Sequence, residues 1–254
     1  MNAIVQYVVN SSTLEVSWIK ITNATQDSFI MSIDSRVTGT GPMSSTMSAM
    51  ELDMSGPGGA FGRLRLPEIK TKSTGTQVEV RDQMIKITNM EAFKAFVKAL
   101  IQDESLILRL ENGHATIKAL FANAKIIYAK DIHLKGMNGP KTIMVKTEGH
   151  GKNFTNVMRS TNPSPVEMDL GTLNESIVNA NGKKIAEQTG TVYLMRGETD
   201  FVMAGSVTGV AAEGDARIVG LSVEEDNWNN LTIPYLNTAT TVTEKFIAFC
   251  KTNA

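Results

Sequence analysis

The 254-residue chain has a single cysteine, Cys250, so no internal disulfide can form and the fold makes no demand for an oxidising compartment. That thiol sits in the apolar run Phe246–Cys250 with no basic partner nearby in sequence, and it reads as a small apolar residue of a terminal helix or strand. Neither sign of charge is in excess, since 25 Lys and Arg oppose 26 Asp and Glu, mixed along the sequence. Without clustered cations to neutralise phosphates, nucleic acid is not expected as a partner. The densest basic stretch, Arg63–Lys72, alternates charge with Leu64, Leu66 and Ile69, the pattern of a charge-protected sheet edge. No apolar run approaches the roughly 18 residues that span a bilayer, and no basic leader precedes an apolar core. The chain as given is therefore expected in the aqueous phase of the cytoplasm, with no transmembrane segment.

The reagents of common enzyme chemistry are missing as well. The three histidines, His114, His133 and His150, lack metal-ligand spacing with Asp, Glu or Cys. His114 and His150 stand in glycine-containing turns, whereas His133 lies in an alternating segment, facing either an interior beside Tyr128 or the outer face with Lys135. The glycine-rich run Ser55–Gly62 has no phosphate-binding lysine and opens no helix, so it reads as a hairpin turn. No Gly-x-Ser-x-Gly elbow occurs, and Glu224-Glu225-Asp226 reads as a solvated loop. Neither a metal nor an organic cofactor is expected.

What the sequence does contain is alternation. A hydrophobic content of 42% is enough to build real cores. Leu14, Val16 and Trp18, then Phe29, Met31 and Ile33, alternate with polar residues as half-buried strands do, and glycine and proline punctuate the chain at short intervals. Ala3–Val9 is a short apolar run, compatible with a strand or one helical turn. One helix stands out: Asn89 can cap Met90–Gln102, where Phe93, Phe96, Val97, Leu100 and Ile101 share a face. Strands are expected again at Leu106–Leu110, Thr116–Leu120 and Ile126–Leu134.

The order strand, proline break, strand, glycine turn, strand appears twice, around Gly41 and around Pro163, which predicts two tandem β-sandwich domains. The turn Gly136–Pro140 divides them into residues 1–138, holding the helix, and 139–254, holding a carboxy-terminal extension. Asn162-Pro163-Ser164-Pro165 must lie at a strand start or edge, and Asn181-Gly182 signals a tight hairpin. The tail from Leu221 has no counterpart in the first unit, so it either closes a sheet or covers the seam between domains.

Several segments carry a family resemblance: Val8–Val16, Ile21–Pro42, Met90–Ile101, Asp131–Ile143 and Ser160–Thr172. Together they resemble a fungal family of unknown function related to the late-embryogenesis-abundant type 2 (water-stress) β-sandwich domain, over roughly Val8–Val210. The resemblance implies tandem sandwiches, usually behind an amino-terminal membrane helix on the vacuolar or extracytoplasmic side. This sequence shows no such helix, which points to a domain pair released into solution. Asn-x-Ser/Thr triplets at Asn10, Asn23, Asn153, Asn174 and Asn230 would suit a lumenal ancestor.

Methionine is abundant, 14 residues with Met43, Met47, Met50 and Met54 in one segment, and its soft torsions suit either an adaptable apolar site or an irregular core. An apolar small molecule is the expected ligand. Three functions stay open: a binding module for a lipid or terpenoid-like metabolite, a cofactor-independent cyclase or isomerase acting by substrate preorganisation, as in a cycloaddition, and a stress-protective interaction module. The second is the leading expectation, with a hydrogen-bond donor from Tyr128, His133, Trp228 or Tyr235 aimed at a carbonyl. Trp228 and Tyr235, with His133, are expected to contact the ligand at the domain seam.

Overall fold

The computed structural model describes residues 2–119, 122–210 and 216–254. These form sixteen strands and four short α-helices, a mostly β architecture, and they divide into two compact units. The first unit spans Met1–Asn23, Asp27–Phe96 and Ser105–Leu134, and the second Ala24–Gln26, Val97–Glu104 and Lys135–Ala254.

In the first unit, β1 (Thr13–Thr22), β2 (Ser28–Thr38) and β7 (Thr76–Lys86) pair antiparallel in the order β1-β2-β7. A second sheet grows from the long β8 (Ser105–Ala119), whose expected last residue Leu120 lies outside the described residues. Along one edge of β8 runs β9 (Ala122–Lys135). Along the other, β3 (Ser45–Met47) and β4 (Met50–Gly56) pair one after the other, backed by β6 (Ile69–Thr71) and β5 (Gly59–Leu66). The basic stretch Arg63–Lys72 thus occupies outer strands, with Arg63 reaching Glu51 and Asp53 on β4. Outer strands that carry charge resist pairing with another chain.

Two helices contribute to this unit, the second of them through its residues up to Phe96. The run Ala3–Val9 is part of α1 (Asn2–Ser11), because Val5, Val8 and Val9 recur at helical spacing and Gln6 bonds Asn10 one turn on, at 2.8 Å. In α2 (Met90–Gln102), the Asn89 side chain accepts the Ala92 N–H at 3.1 Å, as a cap should. Its Phe93 stacks on Phe29 with centroids 5.3 Å apart and Phe96 on Phe61 at 4.9 Å, an aromatic cluster that contributes beyond its buried area.

The second unit closes on itself. Its strands are β10 (Lys141–His150), β11 (Asn153–Asn162), β12 (Val166–Asn179), β13 (Lys184–Leu194), β14 (Gly197–Val207), β15 (Ala216–Val223) and β16 (Asn237–Thr241). Each has two neighbours in the cycle β12-β13-β14-β11-β10-β16-β15, and β15 returns to β12. This is a seven-stranded barrel, with the tail supplying β16 as the parallel partner of β10. Between β15 and β16 lie the short α3 (Asn229–Thr232) and a 3-10 turn at Ile233–Tyr235. After the barrel comes α4 (Glu244–Asn253), capped by the Thr243 hydroxyl, which accepts the Phe246 N–H at 3.1 Å. Phe246 meets Phe154 edge-on at 5.2 Å, and Cys250, on the same helix, is buried.

Local turns follow the chemistry of their residues. Between β11 and β12, the buried Asn162 side chain accepts the Ser164 N–H and donates to the Val166 carbonyl, so it satisfies the backbone of the proline-rich turn. In the β12–β13 hairpin only Gly182 has positive φ, at 75°, so the type I′ geometry that Asn-Gly suggests is absent. Asn179 organises this turn instead, its side-chain oxygen accepting the N–H of Asn181 and of Lys183.

The barrel closes where β13 and β14 pair over only Ala186–Thr189 and Ala204–Val207. A Cβ on Gly205 would lie 2.2 Å from the Glu187 carbonyl oxygen and 2.6 Å from Phe154, so a side chain there must part the strands. Gly205→Ala is expected to cost about 1–3 kcal/mol in urea denaturation; an unchanged midpoint would mean that this seam is not closed in solution.

Candidate functional site

An apolar pocket of about 200 Å³ opens in the first unit between its two sheets, beneath α1. Leu14, Val37 and Val78 come from one sheet, Met47, Ile69 and Ile117 from the other, and Val5, Val8 and Val9 from the helix. Ile4 and Met43 line it while being 72% and 59% exposed, so they stand at its mouth. Of the methionine cluster, Met43 and Met47 face the pocket, whereas Met50 and Met54 are core.

Contacts with β9 fasten α1 over this space. The Gln6 amide behaves as a strand residue would: its nitrogen donates to the Ile127 carbonyl at 2.8 Å and its oxygen accepts the Ile127 N–H at 3.0 Å. The free edge of β9 is thereby paired locally. Lys130 holds the other end, its ammonium donating to the carbonyls of Val9, Asn10 and Ser12. Burial pulls the Lys130 pKa down, and these carbonyls, at the negative end of the helix dipole, are what the ammonium gains in return.

Tyr128 lies two residues before Lys130 on the same inward face and lines the pocket while only 3% exposed. No hydrogen-bond partner reaches its hydroxyl among the described residues, and burial pushes its pKa well above the ordinary phenol range. It is a protonated donor in an apolar site.

The other sequence-derived candidates are placed differently. His133 is exposed, on the outer phase of β9 with Asp131 and Lys135. Trp228 is 1% exposed in the second unit, its backbone N–H donating to the Thr25 carbonyl at 2.9 Å. Tyr235 is half-buried in the second unit, with the Lys98 ammonium 5.9 Å from its ring centroid. Of the four, Tyr128 alone lines the apolar pocket.

A second constellation lies in the barrel. The Thr147 hydroxyl donates to Asn156 at 2.8 Å, Asn156 donates to Gln188 at 3.0 Å, and Gln188 donates to the Glu175 carboxylate at 2.5 Å. All four are buried. Desolvation pushes the Glu175 pKa up to about 7, with the Gln188 hydrogen bond opposing it. Sequence reasoning missed Glu175 and Lys130 alike, yet both carry a signal: each stands in the apolar phase of its strand, Glu175 between Leu173 and Ile177 and Lys130 between Tyr128 and Ile132. Among the described residues no group of three or more His, Cys, Asp or Glu is placed to hold a metal ion. No described helix is long and apolar enough to cross a membrane.

A mostly β chain with an apolar pocket and a buried acid is as far as the geometry alone classifies the protein. Residues 59–176, from β5 to within β12, match a protein family of unknown function (DUF3712). No curated protein matches the sequence. Among solved structures, a red sea bream transglutaminase aligns at 14% identity over 91% of this chain and 31% of its own, with a TM-score of 0.25. A Mobiluncus mulieris adhesin aligns at 9% identity, covering 82% of this chain and 80% of its own, with a TM-score of 0.23. Salmonella enterica SafA pilin in complex with the SafB chaperone aligns at 11% identity over 83% and 89%, with a TM-score of 0.19. The chain spans under a third of the transglutaminase, and likenesses this slight assign neither fold nor activity.

Two outcomes test these sites. Lys130→Met keeps the apolar stem and removes the donors, so the amides of α1 should exchange hydrogen faster, with a stability loss of about 1–3 kcal/mol; unchanged exchange would show that the clamp is idle. For Glu175, whose folded pKa of about 7 exceeds its ordinary 4.5, the folded state holds the proton more tightly than the unfolded chain. Stability therefore falls as pH rises from about 4.5 to about 7 and then levels off. Glu175→Gln should be more stable than the parent by about 2–3 kcal/mol above that range, with the gap closing toward its acid end. Identical pH profiles in chemical denaturation would show that Glu175 is not the titrating group.

Proposed function

We propose that the protein binds a small apolar molecule bearing one hydroxyl or carbonyl, of terpenoid or short acyl type, in the pocket beneath α1. The observation that carries this reading is the Tyr128 hydroxyl, which no described protein group bonds, in a largely apolar lining whose Ser12, Thr40, Ser45 and Thr71 hydroxyls are bonded within the protein. A polar group buried without a partner costs free energy, which a ligand oxygen would recover. The size agrees: a cavity of about 150 Å³ takes benzene, and this one, at about 200 Å³, suits a somewhat larger skeleton. The helix that covers it is held mainly by Gln6 and Lys130, a means of admitting the molecule without unfolding either sheet.

The same donor supports a second reading, a cofactor-independent cyclase or isomerase of a fungal secondary-metabolite pathway. There a protonated Tyr128 would stabilise negative charge developing on a carbonyl oxygen while the walls enforce the reactive conformation. Kinship with the fungal relatives of the late-embryogenesis-abundant type 2 domain, and residence in the cytoplasm, belong to this reading too. The match of residues 59–176 to a family of unknown function is compatible with that kinship.

Native mass spectrometry after gentle purification, alone and with added geraniol, tests the binding. One apolar molecule per chain is expected. Val8→Phe should fill the pocket and abolish binding, and Tyr128→Phe should weaken it about two- to tenfold, the worth of one hydrogen bond. Binding that survives Val8→Phe in a folded protein would refute the assignment.

A further inference from the structure

The second unit carries a cavity that the apolar pocket does not explain. It measures about 980 Å³ and lies where the β10–β11 hairpin meets β12, β13 and β14. Its lining includes three carboxylates, Glu148, Glu175 and Glu187, together with His150, and neither lysine nor arginine. Glu148 is paired with Lys146 at 2.6 Å and Glu187 with Lys184, all four exposed.

Glu175 differs from both. It is 2% exposed, and among the described residues no cation neutralises it. Its single hydrogen bond comes from Gln188, the last donor of a chain in which Thr147, Asn156 and Gln188 each give a proton in the same direction. Because the Gln188 oxygen is occupied by Asn156, the Gln188 amide can only donate to Glu175, so the barrel interior is wired to support a carboxylate there. The other carboxylate oxygen has no donor among the described residues. A buried carboxyl of this kind either keeps its proton or, once ionised, is stabilised by a positive partner, and no described residue of the lining supplies one.

The chemistry of the lining then selects the ligand. An anion would be opposed by three carboxylates with no lysine or arginine in the lining to offset them, and a hydrocarbon would leave the open oxygen of Glu175 unpaired. An ammonium group brings both the charge and the donors. We propose that this cavity binds a small metabolite through a protonated primary amine, with Glu175 as its counter-ion and the carbon skeleton against Phe154 and Leu221. The site is distinct from the apolar pocket, and neither reading requires the other.

Putrescine and its uncharged isostere 1,4-butanediol, titrated into the isotopically labelled protein, provide the test by nuclear magnetic resonance. Putrescine should shift the side-chain amide signals of Gln188 and Asn156 along a saturating curve at about pH 8, whereas butanediol leaves them in place. Acidifying to about pH 5 should weaken the affinity roughly tenfold or more, because Glu175 takes up a proton while the amine keeps its own. Glu175→Gln should abolish the response of Asn156 and of Gln188.

Equal shifts with butanediol would overturn the proposal, as would the absence of any shift at millimolar putrescine. So would putrescine shifts that persist in Glu175→Gln, which would place the amine on the rim carboxylates Glu148 and Glu187. If Glu175→Gln fails to fold, the comparison of putrescine with butanediol and the pH series on the parent protein still decide the matter.

Discussion

Every second residue of a strand points inward, and in this protein that constraint is applied to polar side chains as strictly as to apolar ones. Lys130 on β9 and Glu175 on β12 occupy inward positions that neighbours fill with Tyr128, Ile132, Leu173 and Ile177. Neither can turn away without shifting its strand by one residue, which would expose every apolar partner on the same face. Each must be satisfied where it stands. The carbonyls at the end of α1 meet Lys130, and the Thr147–Asn156–Gln188 chain meets Glu175. The two most distinctive polar arrangements of the structure are thus consequences of strand register.

The first of these arrangements sets how α1 is held. A ten-residue helix with β-branched residues has little stability of its own in water. Here its anchorage is built from a side-chain amide imitating a peptide group and an ammonium imitating a set of capping donors, together with a valine face over the pocket. Such ties are directional and few, so α1 is defined in position without being part of either sheet. The pocket takes its shape from that placement, since one wall is helix and the rest is strand.

Much of the fold was legible in the sequence because it is written in local patterns. Alternation marked the strands, Asn89 and the five-residue apolar face marked α2, and the proline and glycine turns fell where strands end. Ala3–Val9 was ambiguous because a run so short fits either period, and the choice of helix depends on contacts with Ile127 and Lys130, more than a hundred positions away in the chain. The barrel was not legible for a related reason. Its closure needs β16, a five-residue segment with no distinctive pattern, to lie parallel to β10. Of the candidate site residues, Tyr128 was readable as a possible donor. Lys130 and Glu175 were hidden because charged residues in a strand are read as solvent-facing unless their phase is compared with that of their neighbours.

The parallel pairing of β10 with β16 also governs the order of events in folding. Thr142 and Thr240, about a hundred residues apart, sit opposite one another, so the ring is joined by one of its most distant contacts. During synthesis, β10 to β14 can pair with near neighbours as they appear, but the ring stays open until residue 241 has left the ribosome. For that interval β10 presents an unpaired edge and the buried row of Thr147, Asn156, Gln188 and Glu175 remains hydrated. That polar row is well matched to such a wait, because it can stay in water until the last strand arrives, whereas apolar side chains in its place would adhere to other chains.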